Sequence, residues 1–192
     1  MTAPKVDAVL NLKNSLWKQI PQRLPAAELH IYGADPTQQI LELHNEKEGF
    51  LVKGYVSSPE EVVRNTKVVL APLRFGAGIK GKLTEAMVFG APSVTTSIGA
   101  EGMHGQLPWN GFVTDDFEDF AQKAVAIYTD EKLWVAAQEN GVAIINTHYD
   151  KEKNGTILID KNINICLLNK TYADDKQEKE GRGRRRTKQK KS

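Results

Sequence analysis

A glycine-rich stretch, residues 76–82, carries two nucleotide-binding patterns at once. The segment from Gly76 to Gly81 reads GAGIKG and fits G-x-G-x-x-G, the dinucleotide fingerprint. Extended to Lys82, it also fits G-x-x-x-x-G-K, the beginning of a P-loop. Both patterns bring bare backbone N–H groups close to phosphate oxygens. These residues therefore indicate phosphate binding, and their neighbours must decide which phosphate.

The residues after Lys82 argue against a P-loop. That motif needs a Ser or Thr directly after its lysine, because the hydroxyl coordinates a magnesium ion. Leu83 occupies this position. Thr84 comes one residue late, which turns it about 100° away on a helix. We therefore do not expect a P-loop nucleoside triphosphatase.

The dinucleotide pattern is complete but has an unusual position. It normally lies in the first strand–helix unit, and an acidic residue ends the next strand about twenty residues on. Here the loop follows the third predicted strand, and Glu101 lies at that distance from Gly81 but within a glycine-rich loop. A dinucleotide-dependent oxidoreductase domain and a purely structural glycine turn both stay open as alternatives.

The physical property common to these patterns is an anion site. The loop leads into the N-terminus of a helix predicted over residues 80–89, where backbone amides and the helix dipole attract anions. Lys80 and Lys82 add positive charge, and Arg74 ends the preceding strand, where ligands bind in open α/β sheets. Glu85, further into the helix, is able to accept hydrogen bonds from two ribose hydroxyls, although a solvated glutamate is the plainer interpretation.

The elements that must position this loop alternate between apolar strands and amphipathic helices. Apolar runs that read as strands without polar alternation are typical of a parallel sheet covered on both faces. We therefore predict an α/β fold, a Rossmann-like parallel sheet with helices on both faces. Residues 155–168 fit either a helix or a strand. The predicted strands are residues 28–33, 49–56, 68–73, 91–96 and 111–115, and the predicted helices lie over residues 6–20, 36–46, 58–65, 80–89, 116–127 and 131–145.

Composition limits the classes of protein to consider. The chain has 192 residues, 40% of them hydrophobic, which suits one globular domain. A single cysteine, no recognisable secretory signal and no long apolar run favour a cytoplasmic protein. The net charge is only +2, because the basic residues concentrate in residues 182–192. We expect residues 176–192 to form a disordered basic tail without a specific partner. Peripheral contact with the inner membrane face is an alternative, and nucleic-acid binding is disfavoured because no aromatic residue is interleaved.

The segment VVLAPLRFGAGIKGKLTEAMVFGAPSVTTSIGAEGM, residues 68–103, resembles the signature region of group 1 glycosyltransferases. The features that carry the likeness are an apolar strand with Pro72, the glycine loop, the helix with Glu85, the Gly90-Ala-Pro turn and the loop that begins at Thr95. Upstream segments are similar as well, so that the resemblance covers about residues 4–150. It implies the C-terminal, donor-binding domain of a GT-B fold and a retaining hexosyltransferase that uses a nucleoside diphosphate sugar.

The resemblance also implies roles for individual residues. The loop Gly76, Ala77, Gly78, Ile79 and Lys80 would meet the diphosphate and sugar of the donor, and Glu85 would bind the ribose. Lys80 and Lys82 would offset the charge of the departing nucleoside diphosphate, with no cofactor and no metal ion needed for the chemistry. Arg74 and Glu101 would border the same pocket.

Two departures from the family pattern matter. Ala77 stands where many relatives have an acidic residue. The first strand of the domain, with its Arg and Lys pair, and the N-terminal acceptor domain have no counterpart in the sequence. We therefore expect residues 1–150 to form the donor-binding domain, residues 151–175 to form a C-terminal helix or extension, and the chain to be inactive alone and prone to self-association. A non-catalytic nucleotide-binding module is the alternative.

Overall fold

The computed structural model describes residues 3–149 and the strand at residues 165–170. One six-stranded sheet flanked by helices forms the body, and the sequence predicts this α/β architecture and five of the strands. The strands are β1 (Ala27–Tyr32), β2 (Phe50–Gly54), β3 (Val68–Ala71), β4 (Ser93–Thr95), β5 (Gly111–Val113) and β6 (Ile165–Lys170). The α-helices are α1 (Ala3–Asn11), α2 (Ile20–Arg23), α3 (Gln38–Leu41), α4 (Pro59–Arg64), α5 (Gly81–Val88), α6 (Ser97–Ala100), α7 (Phe117–Thr129) and α8 (Glu131–His148).

Two predicted helices are shorter or more broken than their periodicity indicates. The first divides into α1, a π-helical turn over Leu12–Leu16 and α2, which has a proline at its start. The second, which was predicted to begin at residue 36 with Asp35 as its N-cap, is reduced to α3 and a 3₁₀ turn, and the N-cap of α3 is Thr37. Asp35 instead adopts a positive φ of 49°, a conformation that aspartate tolerates in turns. The chain must turn early here because Asn45 pairs with Phe50 at the start of β2.

The sheet has the strand order β2-β1-β6-β3-β4-β5. Neighbouring pairs β1–β2, β3–β4 and β4–β5 are parallel, which confirms the predicted architecture. The strand β6 differs, since it runs antiparallel to both of its neighbours. Residues 165–170 thus resolve the open choice between helix and strand for that part of the segment. Residues 150–164 and the predicted tail at 176–192 lie outside the described residues.

The position of β6 corrects one expectation. A Rossmann-type sheet has the order 3-2-1-4-5-6, in which the first strand is central. No counterpart of that strand is recognised in the sequence, and the self-association expected above would require apolar residues exposed along the gap. The structure places β6 in that position, and the flanking residues Leu29, Ile31, Val68 and Leu70 are at most 1% exposed.

The apolar core lies in two clusters. One joins β1 and β3 with α7 and the helical segment 9–20, and includes Leu16, Phe50 and Phe120. The other packs α5 and α8 around β3 and includes Leu83, Met87 and Ile144. The helix α5 is therefore wedged between the sheet and α8, which fixes the direction of its N-terminus. Among the described residues, no helix is both long and apolar enough to cross a membrane.

Candidate functional site

The glycine loop emerges from the carboxyl end of β3 and is fully accessible. Every residue from Arg74 to Ile79 is exposed. Gly76 and Gly78 have φ angles of 128° and 75°, which side chains with a Cβ rarely adopt. The two glycines therefore allow the chain to leave a buried strand, turn in the open and enter α5. The backbone conformation thus requires glycine at both positions. The absence of side chains there also lets the loop backbone approach a ligand closely.

Threonine hydroxyls anchor the base of this loop. Thr96 Oγ1 donates to the carbonyl of Leu73 at 2.5 Å, and Thr95 Oγ1 donates to the carbonyl of Ala71 at 2.9 Å. The same Thr96 oxygen caps α6 by accepting from the Gly99 N–H at 3.2 Å. A Cβ on Gly99 would lie 1.9 Å from Thr95 Oγ1, so only glycine fits. The end of β4 and the start of α6 are thus fixed against the strand that presents the loop.

The N-terminus of α5 offers bare amides to the loop. Lys80 is the N-cap, and no side chain caps the helix. The first helical hydrogen bonds run from Leu83 N–H and Thr84 N–H to the Lys80 carbonyl, at 2.8 and 3.2 Å. The preceding N–H group of Gly81 belongs to the first turn of the helix, where the dipole is positive. The Lys80 ammonium folds back and donates to the Gly78 carbonyl at 2.5 Å, so that it lies within the loop.

Glu85 lies one turn into α5 and is almost completely buried, with 3% of its surface exposed. It lines a cavity of about 330 Å³ together with Phe89, which is one helical turn further on. A carboxylate removed from water needs strong hydrogen-bond donors to offset its desolvation. The solvated-glutamate interpretation of the sequence is therefore wrong, and Glu85 is a buried part of the cavity wall.

The remaining wall of this cavity was missed in the sequence. It comes from the loop after β2 and the first residues of α4, which include Tyr55, Ser57 and Ser58. Tyr55 is 68% exposed, so its ring is accessible to a ligand in the cavity. The available signal was that YVSSP follows a strand of the predicted parallel sheet, and the carboxyl ends of such strands share the edge where ligands bind. We interpreted that stretch only as a helix start, which Ser58 indeed provides by accepting from Glu61 N–H.

Arg74 pairs with Asp7, a residue that no local sequence pattern singles out. Its guanidinium pairs with both carboxylate oxygens of Asp7 in α1, with Nε to Oδ2 at 3.0 Å and Nη2 to Oδ1. This hydrogen bonding lowers the pKa of Asp7 and raises the pKa of Arg74. The pair joins α1 to the start of the glycine loop, and Pro4 of the same helix also lies near Gly76. Arg74 is thus a tether of the loop in this state.

The other sequence candidates lie apart or have structural roles. Glu101 is exposed directly after α6, and its place in a ligand pocket stays a prediction. Asp116 is the N-cap of α7, as expected, and accepts from Asp119 N–H at 2.8 Å. His104 packs edge-on against Trp109 with ring centroids 5.4 Å apart. No cluster of three metal-ligating side chains occurs within the described residues.

Comparison with known proteins bears on this site. The family model of group 1 glycosyl transferases matches residues 1–130, which include the glycine loop, α5 and the cavity. The chain belongs to this family. The match covers most of the chain, and it identifies the glycine loop as part of a glycosyltransferase domain. A comparison with functionally curated proteins gives no match.

A solved glycosyltransferase has the same fold. A mutant of S. aureus TarM, crystallised with fondaparinux, α-GlcNAc-glycerol and UDP, is similar to this chain with a TM-score of 0.65 and 20% sequence identity. The likeness covers 80% of this chain but only 31% of TarM, so this chain spans about a third of the length of that relative. This group 1 glycosyltransferase domain therefore has a GT-B-type α/β fold.

Proposed function

We propose that this chain is the donor-binding part of a retaining glycosyltransferase that takes a sugar from a nucleoside diphosphate sugar. The observation that carries the proposal is the buried side chain of Glu85, which lies in the wall of the cavity and one turn after the start of α5. The family supports the reaction class, and the geometry around Glu85 supports the following assignment of the parts of the donor.

The nucleoside would occupy the cavity. A volume of about 330 Å³ lies at the lower end of the range for small-molecule sites. Glu85 would accept hydrogen bonds from the two ribose hydroxyls, which need a fixed acceptor of this kind. The base would lie against Tyr55 and Phe89, and Phe89 is itself backed by the guanidinium of Arg64 at 5.6 Å. Aromatic stacking binds any base, so selectivity would come from polar groups such as Ser57.

The diphosphate would lie outside the cavity, on the N-terminus of α5. The N–H groups of Gly81 and Lys82 would donate to phosphate oxygens, and the helix dipole would favour their charge. The flexible ammonium of Lys80 would exchange its bond to the Gly78 carbonyl for a phosphate oxygen. Arg74 would approach the same group only by releasing Asp7, so we assign it a secondary role.

These residues would promote transfer by stabilising the leaving group. When the bond between the anomeric carbon and the phosphate oxygen breaks, the nucleoside diphosphate gains negative charge. Donors already oriented by α5 would stabilise that charge without reorganisation, which is the most effective form of electrostatic catalysis. In this proposal the lysines and the helix dipole meet this need without a cofactor or a metal ion, so that EDTA should not weaken nucleotide binding.

Transfer to an acceptor would need more than these residues. Positioning two substrates can contribute about 7–11 kcal/mol to lowering a barrier, and only the donor has a proposed place here. We propose that an acceptor domain completes the active site, consistent with the third of TarM that this chain covers. A radiolabelled nucleotide-sugar assay with a broad acceptor mixture tests this, because robust Glu85-dependent transfer by the chain alone would contradict it.

The proposal is tested by calorimetric titration with UDP, GDP, ADP and NAD. We expect at least one nucleoside diphosphate to bind and NAD to bind more weakly. UDP is the first choice, since TarM was crystallised with it. Tight NAD binding without nucleoside diphosphate binding would favour the oxidoreductase alternative instead. Binding without transfer, even when an acceptor domain is supplied, would favour a non-catalytic module.

A further inference from the structure

The start of the glycine loop is held by α1, a helix that is remote from it in sequence. The Arg74 guanidinium donates to both carboxylate oxygens of Asp7, through Nε at 3.0 Å and through Nη2. Pro4, in the first turn of α1, lies beside Gly76, because a Cβ built on that glycine would be 3.9 Å from the Pro4 Cβ. Further along the loop, a Cβ on Gly78 would meet no such neighbour within 4 Å among the described residues. The restraint from α1 therefore acts on the first half of the loop.

The Asp7 carboxylate engages Arg74 in the way that an anionic ligand does. Arginine binds carboxylates and phosphates through the same planar, bidentate pattern of N–H donors. Arg74 begins the loop that ends at Lys80, the N-cap of α5, where we place the donor diphosphate. An internal carboxylate thus occupies two donors of an arginine that belongs to the proposed phosphate-binding loop.

The surroundings of Asp7 make this contact easy to exchange. The side chain of Arg74 is 56% exposed, so water screens the pair and solvates the guanidinium when it is released. The Asp7 carboxylate then keeps a donor, because Asn11 Nδ2 contacts its Oδ2 at 3.0 Å. Exposed ion pairs change an equilibrium constant by at most about fivefold. Phosphate oxygens, which bind arginine through charge-assisted hydrogen bonds, are therefore able to displace the carboxylate.

We propose that Asp7 is an internal competitor of the donor diphosphate, an autoinhibitory contact that withholds Arg74 until a phosphate group displaces the carboxylate. Binding of a nucleoside diphosphate then transfers the guanidinium from α1 to the ligand and frees the start of the glycine loop. This inference rests on the proposed diphosphate site at the N-terminus of α5. It makes the pair a contact that opposes binding, so that removal of the Asp7 charge tightens the complex.

A double-mutant cycle on Asp7 and Arg74 tests the proposal. The wild-type chain, Asp7→Asn, Arg74→Gln and the double variant are titrated by calorimetry with the nucleoside diphosphate that binds best. We expect Asp7→Asn to lower the Kd about two- to fivefold, the range that exposed ion pairs contribute. Arg74→Gln should raise the Kd. In the Arg74→Gln background Asp7→Asn should leave the Kd unchanged, because no guanidinium remains to be released.

A second ion pair provides the matched control. Glu48 pairs with Lys13 at 2.5 Å, in the helical turn after α1. It precedes β2 and so lies at the amino end of the parallel strands, whereas the glycine loop leaves the carboxyl end of β3. Glu48→Gln should therefore leave the Kd unchanged. The melting temperature of each ligand-free protein monitors the fold, and Asp7→Ala, which a helix accommodates better than asparagine, replaces Asp7→Asn if that variant does not fold.

The possible outcomes separate this inference from the proposed function. Tighter binding by Asp7→Asn that depends on Arg74 supports the autoinhibitory contact. Unchanged or weaker binding, which a purely structural tether predicts, would overturn it. An equal gain in the Arg74→Gln background would overturn it as well, because that gain reflects charge repulsion alone. Both of these results leave the donor site in place, whereas failure of every variant to bind any nucleoside diphosphate would remove the proposed function together with this inference.

Discussion

Replacement of Glu85 by glutamine separates binding from folding at the proposed ribose position. Glutamate and glutamine side chains have nearly the same shape. The change therefore removes the charge of a residue that is only 3% exposed and leaves no cavity beside α5. A hydrogen bond to a charged group contributes about 1.5–3 kcal/mol. The amide oxygen still accepts one hydroxyl, so we expect the loss of about one such bond, or roughly a 10- to 150-fold weaker Kd for the nucleoside diphosphate.

The assay is calorimetric titration of the wild-type chain and the Glu85→Gln variant with the nucleoside diphosphate that binds best. Glu139→Gln is the matched control, because Glu139 is an exposed glutamate on α8 that does not line the cavity. The melting temperature of each ligand-free protein monitors the fold. An unchanged Kd for Glu85→Gln, together with an unchanged melting temperature, would refute the assignment of Glu85 to the ribose.

The other predictions concern the base, the loop and its tether. Tyr55→Ala should weaken nucleotide binding by about 1–3 kcal/mol through lost stacking, whereas Tyr55→Phe should not. Equal affinities of Tyr55→Ala and the wild-type chain in the titration would exclude Tyr55 from the base-binding site. Gly78→Ala should strain the loop by roughly 1 kcal/mol and reduce affinity with little effect on the melting temperature, because its added Cβ meets no atom within 4 Å. Gly111→Ala should instead lower the melting temperature strongly, since that Cβ would lie 2.1 Å from a backbone oxygen, and the reverse pattern in thermal unfolding would contradict both statements. Arg74 lowers the pKa of Asp7 in the folded state, so the pair's stabilisation should be present above the unfolded value of 3.8 and disappear as the pH falls through the lower folded value. Asp7→Asn should therefore remove that part of the acid dependence in urea unfolding, and an unchanged pH profile would count against the pairing.

The sequence was sufficient for the parts of the fold that depend on local patterns. Apolar runs located β1 to β5, and the glycine after the helix at residues 80–89 marked the end of α5. Local patterns also located the caps of α4 and α7, because Ser58 and Asp116 act on amides only three residues away. Such features need no knowledge of distant residues.

Local sequence patterns could not predict which distant strands and side chains pair with one another. The insertion of β6 between β1 and β3 depends on backbone edges that are remote from residues 165–170 in sequence. The tether between Arg74 and Asp7 joins residues 67 positions apart, and no local signal indicates it. In both cases the local pattern was compatible with several partners, and only the assembled sheet selects one.

Only one wall of the candidate site could be predicted from the sequence. The glycine loop and Glu85 follow from spacing, because both belong to one strand–loop–helix unit. The opposite wall with Tyr55 comes from a different unit and meets Glu85 only after the sheet forms. An exposed aromatic residue directly after a parallel strand was the clue that would have located it.

A crystal structure of this chain with its best-bound nucleoside diphosphate tests the central claim most directly. The account predicts ribose hydroxyls within hydrogen-bond distance of the Glu85 carboxylate, the base beside Tyr55, and phosphate oxygens at the N–H groups of Gly81 and Lys82. A nucleotide bound elsewhere on the chain, or one in the cavity with its diphosphate directed away from the start of α5, would contradict it.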